Sequence, residues 1–262
     1  MIQPSILLVG CGNMAGAMLR RWLDQGLSPD RVTAISPSGR VLPAGVRVER
    51  EWPRDTEPFD VVMLGIKPQR LADVLDGASA ALAPRLLISI LAGVELATLR
   101  ERFAAGSIVR AMPNLPVALG KGVVALHGED PDGVAAALMA PLGLVEWIAD
   151  ERSFDLVTAL AGSGPAFLYR FVDALAEAGA ALGLAPDQAA RLALATVAGA
   201  AALAAGADES PATLADRVAS PGGSTREGLN VLDRDGALSR LLMQTLAAAT
   251  RRNGELAAAG RS

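Results

Sequence analysis

Four apolar residues, Ile6-Leu7-Leu8-Val9, run without a break into Gly10-Cys11-Gly12-Asn13-Met14-Ala15, and a helical pattern follows through residue 25. A short continuous apolar run suits a strand buried on both faces. A glycine turn between such a strand and a helix is the opening of a βαβ unit. The texture then repeats. Val32-Thr33-Ala34-Ile35, Val46-Arg47-Val48, Asp60-Val61-Val62-Met63-Leu64, Leu86-Leu87-Ile88-Ser89-Ile90, Ser107-Ile108-Val109-Arg110 and Gly122-Val123-Val124-Ala125-Leu126 read as further strands. Stretches 69–82 and 134–142 between them are long enough for crossover helices. Right-handed crossovers make such a series a doubly wound, mostly parallel sheet.

From Glu151 the strand signal vanishes, and the pattern predicts helices over 153–160, 166–182, 186–205, 211–219, 224–233 and 238–259. Pro186-Asp187 and Ser210-Pro211 are start signals for two of them. The expectation is an α/β fold of two domains, a sheet domain over residues 1–150 and an all-α domain over 151–262. Alanine-rich helices pack closely but bury little apolar area, at roughly 25 cal/mol per Å². The helical domain is therefore expected to need a partner surface, and a homodimer built on these helices follows.

Composition narrows the function classes. A 262-residue chain that is 51% hydrophobic with a net charge of −4 is not a disordered chain, and it lacks the basic excess of a nucleic-acid binder. Cys11 is the one cysteine, so neither an intrachain disulfide nor a multi-cysteine metal site can form, and a reduced, cytoplasmic setting is expected. The start, Met1-Ile2-Gln3-Pro4-Ser5, has no basic n-region. Leu192–Ala207 carries no charge but is mostly alanine and glycine, short of the about 20 strongly apolar residues of a spanning helix; a bundle or dimer core, and no membrane, is the reading. The chain holds one histidine, His127, one tyrosine, Tyr169, and only Lys67 and Lys121 among its 24 basic residues, so few side chains could act as nucleophile or proton carrier. Chemistry here is expected to belong to a cofactor.

The glycine loop suggests which one. Gly10 can make the tight turn, Gly12 lets a pyrophosphate approach the backbone, and Ala15 takes the third position, where a small residue allows close helix–strand packing. The loop Gly10, Cys11, Gly12, Asn13, Met14 and Ala15 is thus a candidate dinucleotide cradle at a helix N-terminus, with Cys11 a small spacer. After the second strand comes Ile35-Ser36-Pro37-Ser38-Gly39-Arg40, without the carboxylate that would hold a ribose 2′-hydroxyl. Ser36, Ser38 and Arg40 suit a 2′-phosphate instead, which points to NADPH, with NADH weaker.

Four later motifs complete a pattern: Gly65-Ile66-Lys67-Pro68-Gln69, Met112-Pro113-Asn114-Leu115-Pro116, Gly162-Ser163-Gly164-Pro165-Ala166 and Ser220-Pro221-Gly222-Gly223-Ser224-Thr225. With the glycine loop, their order and spacing resemble the pyrroline-5-carboxylate reductases over nearly the whole chain. The resemblance implies NADPH-dependent reduction of 1-pyrroline-5-carboxylate to L-proline, on a Rossmann domain followed by a helical dimerisation domain whose dimers can build rings. It implies a substrate site at Ser220, Gly222, Gly223, Ser224 and Thr225, with Thr225 the catalytic candidate beside the imine nitrogen. It also implies a cofactor-facing loop at Gly65, Ile66, Lys67 and Pro68, and Asn114 is placed near the nicotinamide.

The chain departs from that family at Leu115, where threonine is usual, at Ala161, where serine is common, and at Phe167, where tyrosine is common. Each change removes a hydroxyl, and an unmade buried hydrogen bond costs about 1–3 kcal/mol. A related six-membered cyclic imine is therefore an alternative substrate. A non-catalytic NADPH-binding sensor is the rival from another class. β-Hydroxyacid dehydrogenases use a lysine in the helical half, and no lysine follows Lys121. Prephenate-type dehydrogenases rely on histidine, and His127 lacks both the motif and a second histidine.

Overall fold

The computed structural model describes residues 3–37, 39, 41–53, 58–72 and 83–259. Two compact units divide the chain: Met1–Ser163 together with Ala249–Ser262, and Gly164–Ala248.

The first unit is built on one eight-stranded sheet of β1 (Ile6–Val9), β2 (Val32–Ile35), β3 (Arg47–Glu49), β4 (Val61–Leu64), β5 (Leu86–Ser89), β6 (Ser107–Pro113), β7 (Gly122–Gly128) and β8 (Gly143–Trp147). Their spatial order is β3-β2-β1-β4-β5-β6-β7-β8. Pairing is parallel from β3 through β6, antiparallel between β6 and β7, and parallel again between β7 and β8. The continuous apolar runs have the meaning expected of them: in β1, Ile6 and Leu8 join one buried layer while Leu7 and Val9 join the layer on the other face. Helix α1 (Asn13–Asp24) covers the first layer with Ala15, Met18, Leu19 and Trp22. Helix α2 (Leu96–Arg102) places Leu96 and Leu99 in the second.

Several elements escaped the sequence pattern. Strand β8 mixes half-buried and exposed residues at a sheet edge, so it has no apolar run to announce it. Helix α2 is short. Strand β7 extends to Gly128, which puts His127 inside the strand rather than in the loop after it; its Nδ1 lies 2.7 Å from the Ile148 carbonyl oxygen and its ring meets Phe154 edge-on. Of the helix expected over 69–82, residues 73–82 lie outside the described residues, and Pro68–Arg70 forms a 3₁₀ turn. After α3 (Val134–Met139) and α4 (Phe154–Val157), the chain passes through a π-helical turn, Thr158–Gly162.

The second unit holds α5 (Gly164–Ala181), α6 (Pro186–Ala205), α7 (Pro211–Arg217), α8 (Ser224–Asp233) and the start of α9 (Ala237–Ala259). Helix α5 ends in a Schellman motif. Gly183 takes φ +114°, its N–H donates to Ala180 O at 3.0 Å, and the N–H of Leu184 donates to Gly179 O at 3.1 Å. These two bonds pair the carbonyls of Gly179 and Ala180 as the chain turns into α6. Among its described residues, only Ala189, Ala193 and Ala219 are buried apolar side chains. Tyr169 is 61% exposed. Helix α6 is long and apolar enough, by length and composition, to cross a membrane, yet its apolar side chains are mostly uncovered within the chain.

Candidate active site

The strand order reverses at β1, which makes the carboxyl ends of β1 and β4 the switch point at which ligands bind in open α/β sheets. Both motif loops arrive there. Gly10 has φ +85°, and a Cβ on it would come within 2.6 Å of Ile66 Cγ2. A Cβ on Gly65 would meet Gly10 O at 2.8 Å and Ala15 Cβ at 3.0 Å. The two loops therefore fit only because both positions are glycine and residue 15 is alanine. Gly12 differs: a Cβ there would meet nothing nearer than Gly65 O at 4.0 Å. The space above Gly12 is open, as a pyrophosphate would require. Gly12 is also the N-cap of α1, which has no side-chain cap and no acidic residue in its first turn. That end keeps its positive dipole charge for an anion.

Within the loop, Cys11 is buried and points into the core, Met14 is half-buried against it, and Asn13 is exposed. Lys67 is exposed and precedes the 3₁₀ turn that Pro68 begins, with Arg70 N–H donating to Lys67 O at 2.9 Å. At the end of β2, Ser36 is buried, and Gly39 N–H donates to its carbonyl at 2.9 Å to close a turn. Ser38 and Arg40 lie outside the described residues. Arg50, which no sequence motif marks, reaches the same turn: a Cβ on Gly39 would lie 3.5 Å from its Nη2.

At the end of β6, Asn114 is 7% exposed. Its Oδ1 accepts from Val123 N–H at 2.8 Å, and its Nδ2 donates to Ala161 O, in the π-turn, at 3.0 Å. Lower on the strand, buried Arg110 donates to Glu151 Oε1 at 2.6 Å and stacks its guanidinium 4.5 Å from the centre of the Phe154 ring. The same Glu151 oxygen accepts from Leu96 N–H at 2.8 Å. None of these three contacts is visible as local pattern, because each joins residues far apart in sequence. Leu115, one of the departures, is 54% exposed.

In the second unit, Ser220-Pro221-Gly222-Gly223 forms a tight turn closed by Gly223 N–H donating to Ser220 O at 3.0 Å. Proline followed by a glycine at φ +71° is the sequence a type II turn demands. Helix α8 starts immediately after it with Gly223 as N-cap, again without a side-chain cap. Ser220, Ser224 and Thr225 are exposed, and among the described residues their hydroxyls make no hydrogen bond. Arg226 ties the turn down: its Nη2 donates to Asp216 Oδ1 at 2.7 Å and to Ala219 O at 3.4 Å. The turn thus presents hydroxyls, backbone N–H groups and a helix N-terminus, a donor set for an anion such as a carboxylate.

Comparison with known proteins agrees with both halves. The family model described as pyrroline-5-carboxylate reductase dimerisation matches residues 151–256, and that described as NADP oxidoreductase, coenzyme F420-dependent, matches residues 5–93. The chain is 34% identical to the pyrroline-5-carboxylate reductase of Pseudomonas aeruginosa, with 98% of each chain covered. It is 36% identical to that of Glycine max, covering 95% of this chain and 94% of the other. Among solved structures, a pyrroline-5-carboxylate reductase from Coxiella burnetii superposes with a TM-score of 0.88 at 31% identity, over 97% of this chain and 99% of that one.

Proposed function

This chain belongs to the pyrroline-5-carboxylate reductase family, and on that premise we propose that it reduces the cyclic imine 1-pyrroline-5-carboxylate to L-proline with NADPH, the last step of proline synthesis. One observation carries the reading: an uncapped helix N-terminus at a Ser-Pro-Gly-Gly turn with uncommitted hydroxyls in one unit, and an open glycine cradle at a strand-order reversal in the other.

When bound, NADPH supplies the hydride, from C4 of its nicotinamide. The cradle residues fit it. Gly10 and Gly65 let the two loops meet, Gly12 leaves room for the pyrophosphate, and the α1 N-terminus favours its charge. Ser36, Ser38 and Arg40 hold the 2′-phosphate end, and Arg50, which reaches Gly39, adds a second cation there. Lys67 and Pro68 form the flanking loop.

The protein then needs no nucleophile, which agrees with its poverty in histidine, lysine and cysteine. A protonated imine is electrophilic at carbon; its reduction requires orientation, electrostatics and exclusion of water. The Ser220, Gly222, Gly223 and Ser224 turn binds the substrate carboxylate through backbone N–H groups and hydroxyls. Thr225 places its hydroxyl at the imine nitrogen. An alcohol is a poor acid, so Thr225 Oγ1 orients the proton while bound water supplies it.

The enzyme works as a homodimer through the helical unit, with larger rings open to it, in the cytoplasm. The bare apolar faces of α5 and α6 support this. The experiment follows NADPH absorbance with purified protein and 1-pyrroline-5-carboxylate, then with NADH and with the six-membered imine. Fast oxidation with NADPH and the five-membered ring is the expected result. Preference for the six-membered imine would move the substrate assignment, and tight NADPH binding without turnover on either would end the reductase reading.

A further inference from the structure

The turn Thr158–Gly162 is π-helical: Ser163 N–H donates to Thr158 O at 2.9 Å, one residue beyond the α-helical partner. Such single turns inside helices mark functional sites often enough to ask what holds this one. The sequence that follows gives the problem. In a continuing helix the carbonyl of Ala161 would accept from the N–H of residue 165. Residue 165 is proline and has none. A half-buried carbonyl is left without its helical donor.

Asn114 fills the gap. Its Nδ2 donates to Ala161 O at 3.0 Å, while its Oδ1 accepts from the backbone N–H of Val123 at 2.8 Å. The second bond fixes which end of the amide is oxygen, so the donor faces the turn. Asn114 is 7% exposed, and the only way it can satisfy both backbone groups is as a neutral amide. Arg110, on the strand that Asn114 directly follows, binds Glu151 at 2.6 Å, so β6 and the residue after it grip this segment at two points.

The location gives the grip a consequence. β6 lies beyond β4 and β5, on the opposite side of the strand-order reversal from β2. A dinucleotide spread across the reversal has its 2′-phosphate end at β2 and its other half over β4 to β6. Asn114 and the π-turn therefore stand at the reacting end.

We infer that Asn114 is a positioning residue for the reduction: its side-chain amide replaces the hydrogen-bond donor that Pro165 lacks and thereby sets the place of the Ala161-Gly162-Ser163 backbone. The inference rests on the reductase reading for its activity readout, and a wild-type enzyme inactive on the imine would overturn that reading rather than this one.

Asn114→Asp is the informative variant. The carboxylate still accepts from Val123 N–H but cannot donate to Ala161 O. The expected result is a kcat lowered by roughly tenfold to a hundredfold, the size of effect that small misplacements near a reacting centre produce, with NADPH dissociation unchanged because the glycine loop is untouched. Pro165→Ala restores an N–H at residue 165. In that background Asn114→Asp is expected to cost less, in both turnover and urea midpoint, than it does alone. A folded Asn114→Asp protein with wild-type kcat would overturn the inference, as would loss of NADPH affinity in step with turnover, which would make Asn114 a cofactor ligand. Where Asn114→Asp fails to fold, recovery of folded protein on adding Pro165→Ala supports the inference, and no recovery overturns it.

Discussion

The two units bury themselves in opposite ways. The sheet unit has apolar layers on both faces of one sheet, with Leu7, Leu8, Met18, Leu87, Ile88 and Leu126 fully buried. The helical unit has three buried alanines among its described residues, while Leu192, Leu203 and Phe171 are 46–69% exposed. A domain that hides its own core can fold around a cofactor cradle unaided. A unit whose apolar side chains face outward requires a second surface, and the match of residues 151–256 to a family model described as pyrroline-5-carboxylate reductase dimerisation supports the homodimer proposed above.

That contrast can be broken from the inside of one unit and the outside of the other. The largest effect is expected from Gly143→Val. Gly143 has φ +138°, and a Cβ there would come within 2.1 Å of Gly122 O, so soluble folded protein should be lost from expression. Arg110→Ala comes next. It removes the buried member of a part-buried pair and leaves Glu151 with the Leu96 N–H and solvent, a loss of about 1.5–3 kcal/mol for a hydrogen bond between charged groups, read as a lower urea midpoint. Leu203→Glu changes a side chain that is 69% exposed within the chain. A solvent-facing site would tolerate it, whereas a covered one gives monomers in sedimentation velocity, and monomers are expected.

Two substitutions separate the tasks of the units. Gly12→Val should abolish NADPH binding with little change in melting temperature, because a Cβ there meets no protein atom nearer than Gly65 O at 4.0 Å. Thr225→Ala should lower turnover with NADPH affinity unchanged, checked by fluorescence titration beside steady-state rates. The smallest effect belongs to Asp60. Backbone and side-chain hydrogen bonds from Ser5, with the Arg31 and Arg85 charges, hold its carboxyl below its ordinary value of 3.8, against a partial opposing effect of burial. A folded-state value below the unfolded one stabilises the protein above pH 3.8 and loses that contribution as the pH falls through the lower value. Ser5→Ala should therefore shrink the stability difference between neutral and acid pH, measured by urea unfolding.

The same contrast governs what the sequence could reveal. Strands buried on both faces spell themselves out as apolar runs, and the loops at β1 and β4 carry glycines because backbone meets backbone there. The turn at Ser220–Thr225 is legible for a similar reason, since proline and a positive-φ glycine are required by its geometry. Strand β8 is not legible, because an edge strand has no buried face to pattern it. The bonds of Asn114, Arg110 and Arg226 are not legible because their partners lie at Ala161, Glu151 and Asp216, and no local rule links them. The π-turn left one trace, Pro165, whose missing N–H matters only once Asn114 is seen beside Ala161.

The reductase assignment is tested most directly by isotope. NADPH with both C4 hydrogens of the nicotinamide replaced by deuterium is supplied with 1-pyrroline-5-carboxylate in ordinary water, and the product is read by mass and NMR. L-Proline carrying one deuterium at the former imine carbon is the expected result. Unlabelled proline, or consumption of NADPH without proline, would contradict the assignment.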